Sequence, residues 1–216
     1  MDKGVFFTFE GIDGSGKSVQ SAALAERLMA EGYEVLLVRD PGSSSIAEKI
    51  RSLLLDRNHS EMSPMAELFL YEAARAQLVS EIILPSLDSG TIVISDRFVD
   101  STTAYQAFGR GIPLDFIDSA NRAASGPAWP ERTYLLDIPW EESLKRRAKD
   151  DESDRMESNV TEFFHMVIAG YLTIAEQDRS RVRVLDGCRP VPELGTAIFG
   201  DALELIASLE SDSKTQ

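Results

Sequence analysis

The chain has 216 residues, 43% of them hydrophobic and 27% charged, with a formal net charge of −14. This is the composition of a soluble globular protein of one ordinary domain, and its overall field repels nucleic acid and anionic membrane surfaces. The lone Cys188 excludes an internal disulfide or a cysteine-built zinc site, and no apolar run is long enough for a signal peptide or a membrane span, so a cytoplasmic location is expected.

Five short apolar runs read as buried strands: residues 5–10, 34–39, 91–96, 133–138 and 181–186. Helical patterns separate them. Residues 18–30 place Ala and Leu on one face with Gly32 as a stop, and residues 46–55 are amphipathic. Ser63 caps, and Pro64 opens, a helix continuing through residues 66–78; Pro85 ends or kinks that stretch before the third strand. Residues 100–108, 114–124, 140–147 and 160–176 complete the helical set. The alternation predicts an α/β fold, an open parallel five-stranded sheet with helices on both faces. A single domain over residues 1–207 would precede a frayed polar tail at 208–216.

Ligands of such sheets sit beyond the carboxyl ends of the strands. After the first strand stands Gly11-Ile12-Asp13-Gly14-Ser15-Gly16-Lys17-Ser18, which matches G-x-x-x-x-G-K-[ST] between a strand and a helix. Glycines there let successive N–H groups turn inward onto phosphate oxygens, and the following helix adds its dipole. Lys17 would bridge the β- and γ-phosphates of ATP, and Ser18 would offer its hydroxyl to Mg²⁺. After the third strand come Asp96, suited to Mg²⁺, and Arg97, whose fork suits an anionic substrate. The chain has neither the D-x-x-G switch after that strand nor the N-K-x-D reader of a GTPase.

From FEGIDGSGKS to the final helix the chain resembles the thymidylate kinase family of P-loop nucleoside monophosphate kinases. The segments RDPGSSSIAEKIRSLLL, ELFLYEAARAQLV, DRFVDSTTAYQAFGRG, YLLDIPWEESLKRR, SDRME and YLTIAE follow in that family's order. Adenylate and guanylate kinases share the loop but not these stretches. The resemblance implies phosphorylation of dTMP by ATP with Mg²⁺, in a homodimer paired through helices; the apolar faces of 66–78 and 100–108 could serve there or in an internal core. It implies that Asp13 contacts the acceptor's 3′-hydroxyl or orders metal-bound water, and that Arg97 holds the acceptor phosphate. Tyr71 would stack on thymine, Arg75 would donate to O4, and Thr102 and Gln106 would read N3 and O4. Tyr105 would crowd the 2′ position, and Ser101 would line the same pocket. Taken singly, Tyr71 reads first as core packing and Arg75 as an ordinary surface or salt-bridge arginine, Tyr105 could simply pack, Thr102 could cap a helix or face solvent, and Gln106 could be a solvated side chain. The joint pattern carries the assignment.

The loop positions Gly14 and Ser15 supply no arginine, so a lid at about residues 145–157 would have to. Arg155 and Arg147 are its candidates, although Asp150, Asp151, Glu152 and Asp154 interrupt the basic run. Ser43 replaces the second glycine of the family's Pro-Gly-Gly turn. Two other readings stay open on these residues: a kinase for another pyrimidine deoxynucleotide, or a nucleotide-binding regulatory protein with a degenerate lid.

Overall fold

The computed structural model describes residues 3–56, 58–148 and 158–213. Five parallel strands form one sheet in the order β2-β3-β1-β4-β5, with β1 Phe6–Glu10, β2 Val35–Arg39, β3 Ile92–Asp96, β4 Arg132–Asp137 and β5 Val182–Asp186. Each lies within a residue or two of its expected bounds. Apolar side chains on both faces of β1 explain its central place. Phe7 and Phe9 pack with Leu24 and Leu28 of α1 (Lys17–Ala30) and Ile198 and Ile206 of α9 (Val191–Ser213). Phe6 points oppositely, toward Leu78, Ile83, Val93 and Phe98. Each such fully buried phenylalanine stabilises the fold by about 1.5–3 kcal/mol.

The helix signals act as their chemistry requires. Gly32 (φ 91) follows α1, and Tyr33 N–H closes back on the Leu28 carbonyl at 3.1 Å. Ser44 Oγ caps α2 (Ser45–Leu55), and Ser63 Oγ accepts from Ala66 N–H at the start of α3 (Pro64–Leu78). Pro85 does not end the helical stretch. A π-helical segment, Val79–Ile83, precedes α4 (Leu84–Asp88), which carries the chain past the proline. Residues 100–108 are likewise not one α-helix, because α5 (Val99–Thr102) passes into a π-helical run, Thr103–Gly109. Then follow α6 (Leu114–Ser125), α7 (Trp140–Arg147) and α8 (Ser158–Gln177). The expected tail is helical as far as Ser213, since α9 continues there and Leu209 packs on the core that Ile206 enters.

Parallel register gathers the functional ends at one rim. Asp96 pairs with Phe9 on one side and Arg39 on the other. Arg97 N–H then bonds the Phe9 carbonyl, and Asp40 N–H the Asp96 carbonyl. No described helix is long and apolar enough to cross a membrane.

Candidate active site

The glycines of the first loop do what only glycine does readily. Gly11, Gly14 and Gly16 have φ of 133°, 78° and 98°. A Cβ on Gly11 would fall 2.5 Å from the Leu136 carbonyl. Helix α1 starts without a side-chain cap, so its first N–H groups remain for a ligand. Ser15 Oγ is buried within the loop with no protein partner. Lys17 is also buried, and its ammonium donates to the Ile12 carbonyl at 3.0 Å. Burial, then repulsion by Arg97, lowers its pKa to about 7 against the pull of Asp13 and Asp96.

This loop opens on a cavity of about 660 Å³. Lys17, Arg39, Arg51, Arg97, Arg146 and Arg189 line it, so a chain of net charge −14 has its own positive pocket. Ser18 Oγ donates to Asp96 Oδ2 at 2.5 Å within it. Hydroxyl and carboxylate oxygens side by side are donors that fit a hard divalent cation.

A second cavity of about 220 Å³ is lined by Tyr71, Arg75, Ser101, Thr102, Tyr105 and Gln106. With Arg97, which also lines it, all seven substrate-side residues of the sequence reading from α3 to the π-helical run therefore meet in one place. Asp13, Asp40, Arg51 and Arg97 line both cavities. At that junction Arg97 Nη2 donates to Asp13 Oδ1 at 2.6 Å. Burial works to raise Asp13, but Arg97, Lys17 and Arg147 outweigh it and hold the carboxyl below its ordinary range.

The geometry revises what several residues do. Arg75 is buried, and all five of its N–H groups are engaged. Nε donates to Asp40, Nη1 to Glu72 and Asn121, and Nη2 to Thr102 and, at 3.3 Å, to the Phe98 carbonyl. Gln106 Nε2 donates to Glu67 at 2.9 Å, which leaves its amide oxygen as an acceptor. Tyr105 Oη is buried without a partner, and its ring lies 5.3 Å from the Arg97 guanidinium. Tyr71 is half-buried at the cavity wall.

Arg51 and Glu10 escaped the sequence reading. Arg51 donates to the Pro41 carbonyl at 2.8 Å from the polar face of α2. Arg146 bonds the Gly14 and Gly187 carbonyls, tying α7 to the phosphate loop and to the turn after β5. Glu10 closes β1 fully buried, and burial, reinforced by Asp100, raises it to about 7. A carboxylate at the end of an apolar strand was the available signal for it. Arg147 ends α7, whereas Arg155 lies outside the described residues, as does the lid beyond Ala148. Ser43 holds the strained turn at φ 65, its N–H bonded to Glu48 Oε1 at 2.6 Å.

A phosphate loop whose cavity shares a wall bearing Arg51 and Arg97 with a second pocket can bring two phosphorylated ligands end to end, the arrangement of a P-loop nucleotide kinase. The thymidylate kinase family model matches residues 9–198. A thymidylate kinase of Exiguobacterium sibiricum is 40% identical over 96% of this chain and 98% of its own. One of Geotalea daltonii is 44% identical over 90% and 94%. The crystal structure of thymidylate kinase from Ehrlichia chaffeensis superposes with a TM-score of 0.74 at 32% identity, covering 94% of this chain and 99% of that one. The chain belongs to the thymidylate kinase family, and is thus a nucleoside monophosphate kinase.

Proposed function

We infer that this chain transfers the γ-phosphate of ATP to the phosphate of dTMP. The observation that carries this reading is the shared wall of the two cavities, where Arg97 and Arg51 face both ligands. The attacking atom is already a phosphate oxygen, so the chemistry needs charge neutralisation and alignment rather than a strong base. Lys17 meets the β- and γ-phosphates, and the uncapped end of α1 holds them. Arg97 grips the acceptor phosphate, released in part from Asp13. Ser18 and Asp96 would hold Mg²⁺, which supplies further neutralisation of the phosphates when bound. Asp13, freed from Arg97, accepts from the acceptor's sugar or orders metal-bound water. Of the two lid candidates, Arg147 lies within the described residues, where its charge helps hold the Asp13 carboxyl down.

The base pocket favours thymine. Gln106 offers an oxygen to N3–H and Arg75 a donor to O4, whereas cytosine presents a bare N3 and an amino group. Sites that hydrogen-bond their substrate reject mismatched donors strongly. In a coupled ADP-release assay dTMP should exceed dCMP in kcat/KM by at least about a hundredfold. Comparable values would remove thymine as the acceptor.

The reading also carries a homodimer and a cytoplasmic location. In the stretch 100–108, Ala104, Gln106 and Ala107 are buried within the chain and are taken up by its own core. Support comes instead from α3 and α6, where Phe69 (54% exposed) and Phe116 (40% exposed) meet edge to face at 6.2 Å. Phe69→Glu should shift the sedimentation coefficient from dimer to monomer. A parental chain already sedimenting as a monomer at micromolar concentration would end the dimer reading.

A further inference from the structure

We propose that Glu10 is a positioning residue that sets both the backbone and the guanidinium of Arg97 for the acceptor phosphate. Arg97 has φ 70, the left-handed region that a side chain of its size rarely occupies. Its own N–H is held by the Phe9 carbonyl at 2.9 Å and its carbonyl by Ser95 Oγ at 2.7 Å, and the residues that follow it are held by one carboxylate. Glu10 Oε1 accepts from Phe98 N–H at 2.7 Å and from Ser101 N–H at 3.3 Å. The residue just after the strained one is therefore clamped to the end of β1.

The other oxygen controls the side chain. Glu10 Oε2 accepts from Ser101 Oγ at 2.6 Å and from Tyr171 Oη at 3.1 Å. Each hydroxyl has one hydrogen, and an ionised carboxylate can only accept. Ser101 Oγ and Tyr171 Oη also lie 2.8 Å apart; with the Ser101 hydrogen on Glu10 and that of Tyr171 on Glu10 or on Ser101 Oγ, both oxygens keep lone pairs to turn outward. Arg97 Nη1 donates to those same two oxygens, to Ser101 Oγ at 3.0 Å and Tyr171 Oη at 3.2 Å, and shares its hydrogens with the Gly11 carbonyl at 3.1 Å. Glu10 never touches the substrate pocket. It acts through two hydroxyls that fix where Arg97 points, and leaves Nη2 facing the cavity junction.

Glu10→Gln tests this because it preserves shape while reversing polarity. An amide NH₂ at the second oxygen's place would turn both hydroxyls around, so that they present hydrogens to Arg97. Turned the other way, the amide would set its donors against Phe98 and Ser101 N–H. At pH 8 and saturating ATP, the KM for dTMP should rise about tenfold or more while the KM for ATP stays within about twofold. In an Arg97→Ala background the same change should add little, because its route runs through Arg97. A folded Glu10→Gln protein with parental KM for dTMP, or an effect that multiplies in full upon Arg97→Ala, would overturn the proposal. Should that variant not fold, Tyr171→Phe removes one hydroxyl and keeps the ring; it should raise the same KM several-fold, and no change overturns the proposal. The inference rests on the acceptor reading above. A parental chain that does not phosphorylate dTMP sinks that reading, whereas parental turnover with unmoved variants sinks only this one.

Discussion

Lys17→Ala should cut turnover by roughly a hundredfold to a thousandfold, the cost of losing one pre-placed charge on the transferring group. The protein should remain folded. Lys17 is buried and its pKa is pushed down to about 7, so the charged form is less favourable in the folded chain than in the unfolded one. Alanine removes that cost along with a single bond to the Ile12 carbonyl. The same depression gives ATP binding a direction in pH. Below about 7 the free protein already carries the ammonium, whereas above it binding must first take up a proton. Lys17 should therefore weaken ATP affinity as pH rises through that value, and this component of the pH dependence should be missing in Lys17→Ala. Near-parental kcat in a folded variant, or a pH dependence unaltered by it, would show that Lys17 does not do this.

Sequence carried far in this chain where a local rule governs. The three glycines with positive φ around Lys17 fix the loop, and Ser63-Pro64 caps a helix whatever lies beyond it. Strands of Val, Ile and Phe bounded by helices leave little choice but a parallel sheet. Where contacts come from distant segments, the pattern said less. Helix α9 contains Pro192, Gly195 and Gly200 and reads poorly by propensity, yet Leu194, Ile198, Ala202 and Ile206 recur every fourth residue against the core. Gly195 is spaced for tertiary reasons, since its carbonyl accepts from Arg27 and a Cβ would meet Gln20. The bonds of Glu10 span 88 to 161 residues, and no periodicity announces them. Residue types in family order placed the substrate-side side chains in one cavity, but not their bonding. Gln106 is oriented by Glu67. The full engagement of Arg75 is likewise a property of three helices, α3, α5 and α6, meeting the turns after β2 and β3.

That engagement governs the second large effect. Arg75→Ala should destabilise the protein by about 3–5 kcal/mol, the cost of breaking a buried ion pair from one side. Two carboxylates lose their cation at once. Asp40 already has one buried oxygen without a partner, and Glu72 has another. Burial holds both above the ordinary carboxyl range even with Arg75 present. Without it they rise further, so the folded variant binds more protons than its unfolded chain across the window above their ordinary values of 3.8 and 4.5. Its stability should then fall as pH rises through that window, and the gap in Tm from the parent should be wider at pH 8 than at pH 5. Arg75→Lys cannot rescue it, because three donors on one nitrogen do not span Asp40, Glu72, Asn121, Thr102 and Phe98. Recognition of the base is a separate and smaller matter. O4 of thymine must share a hydrogen already in use, and the Phe98 carbonyl at 3.3 Å is the weakest competitor for one. The KM for dTMP, measured well below the variant's Tm, should rise about tenfold, at the lower end of a charge-assisted bond. A variant that melts early but binds dTMP like the parent would make Arg75 a scaffold for the pocket rather than a reader of the base. One that keeps the parental Tm would refute the ion-pair argument instead.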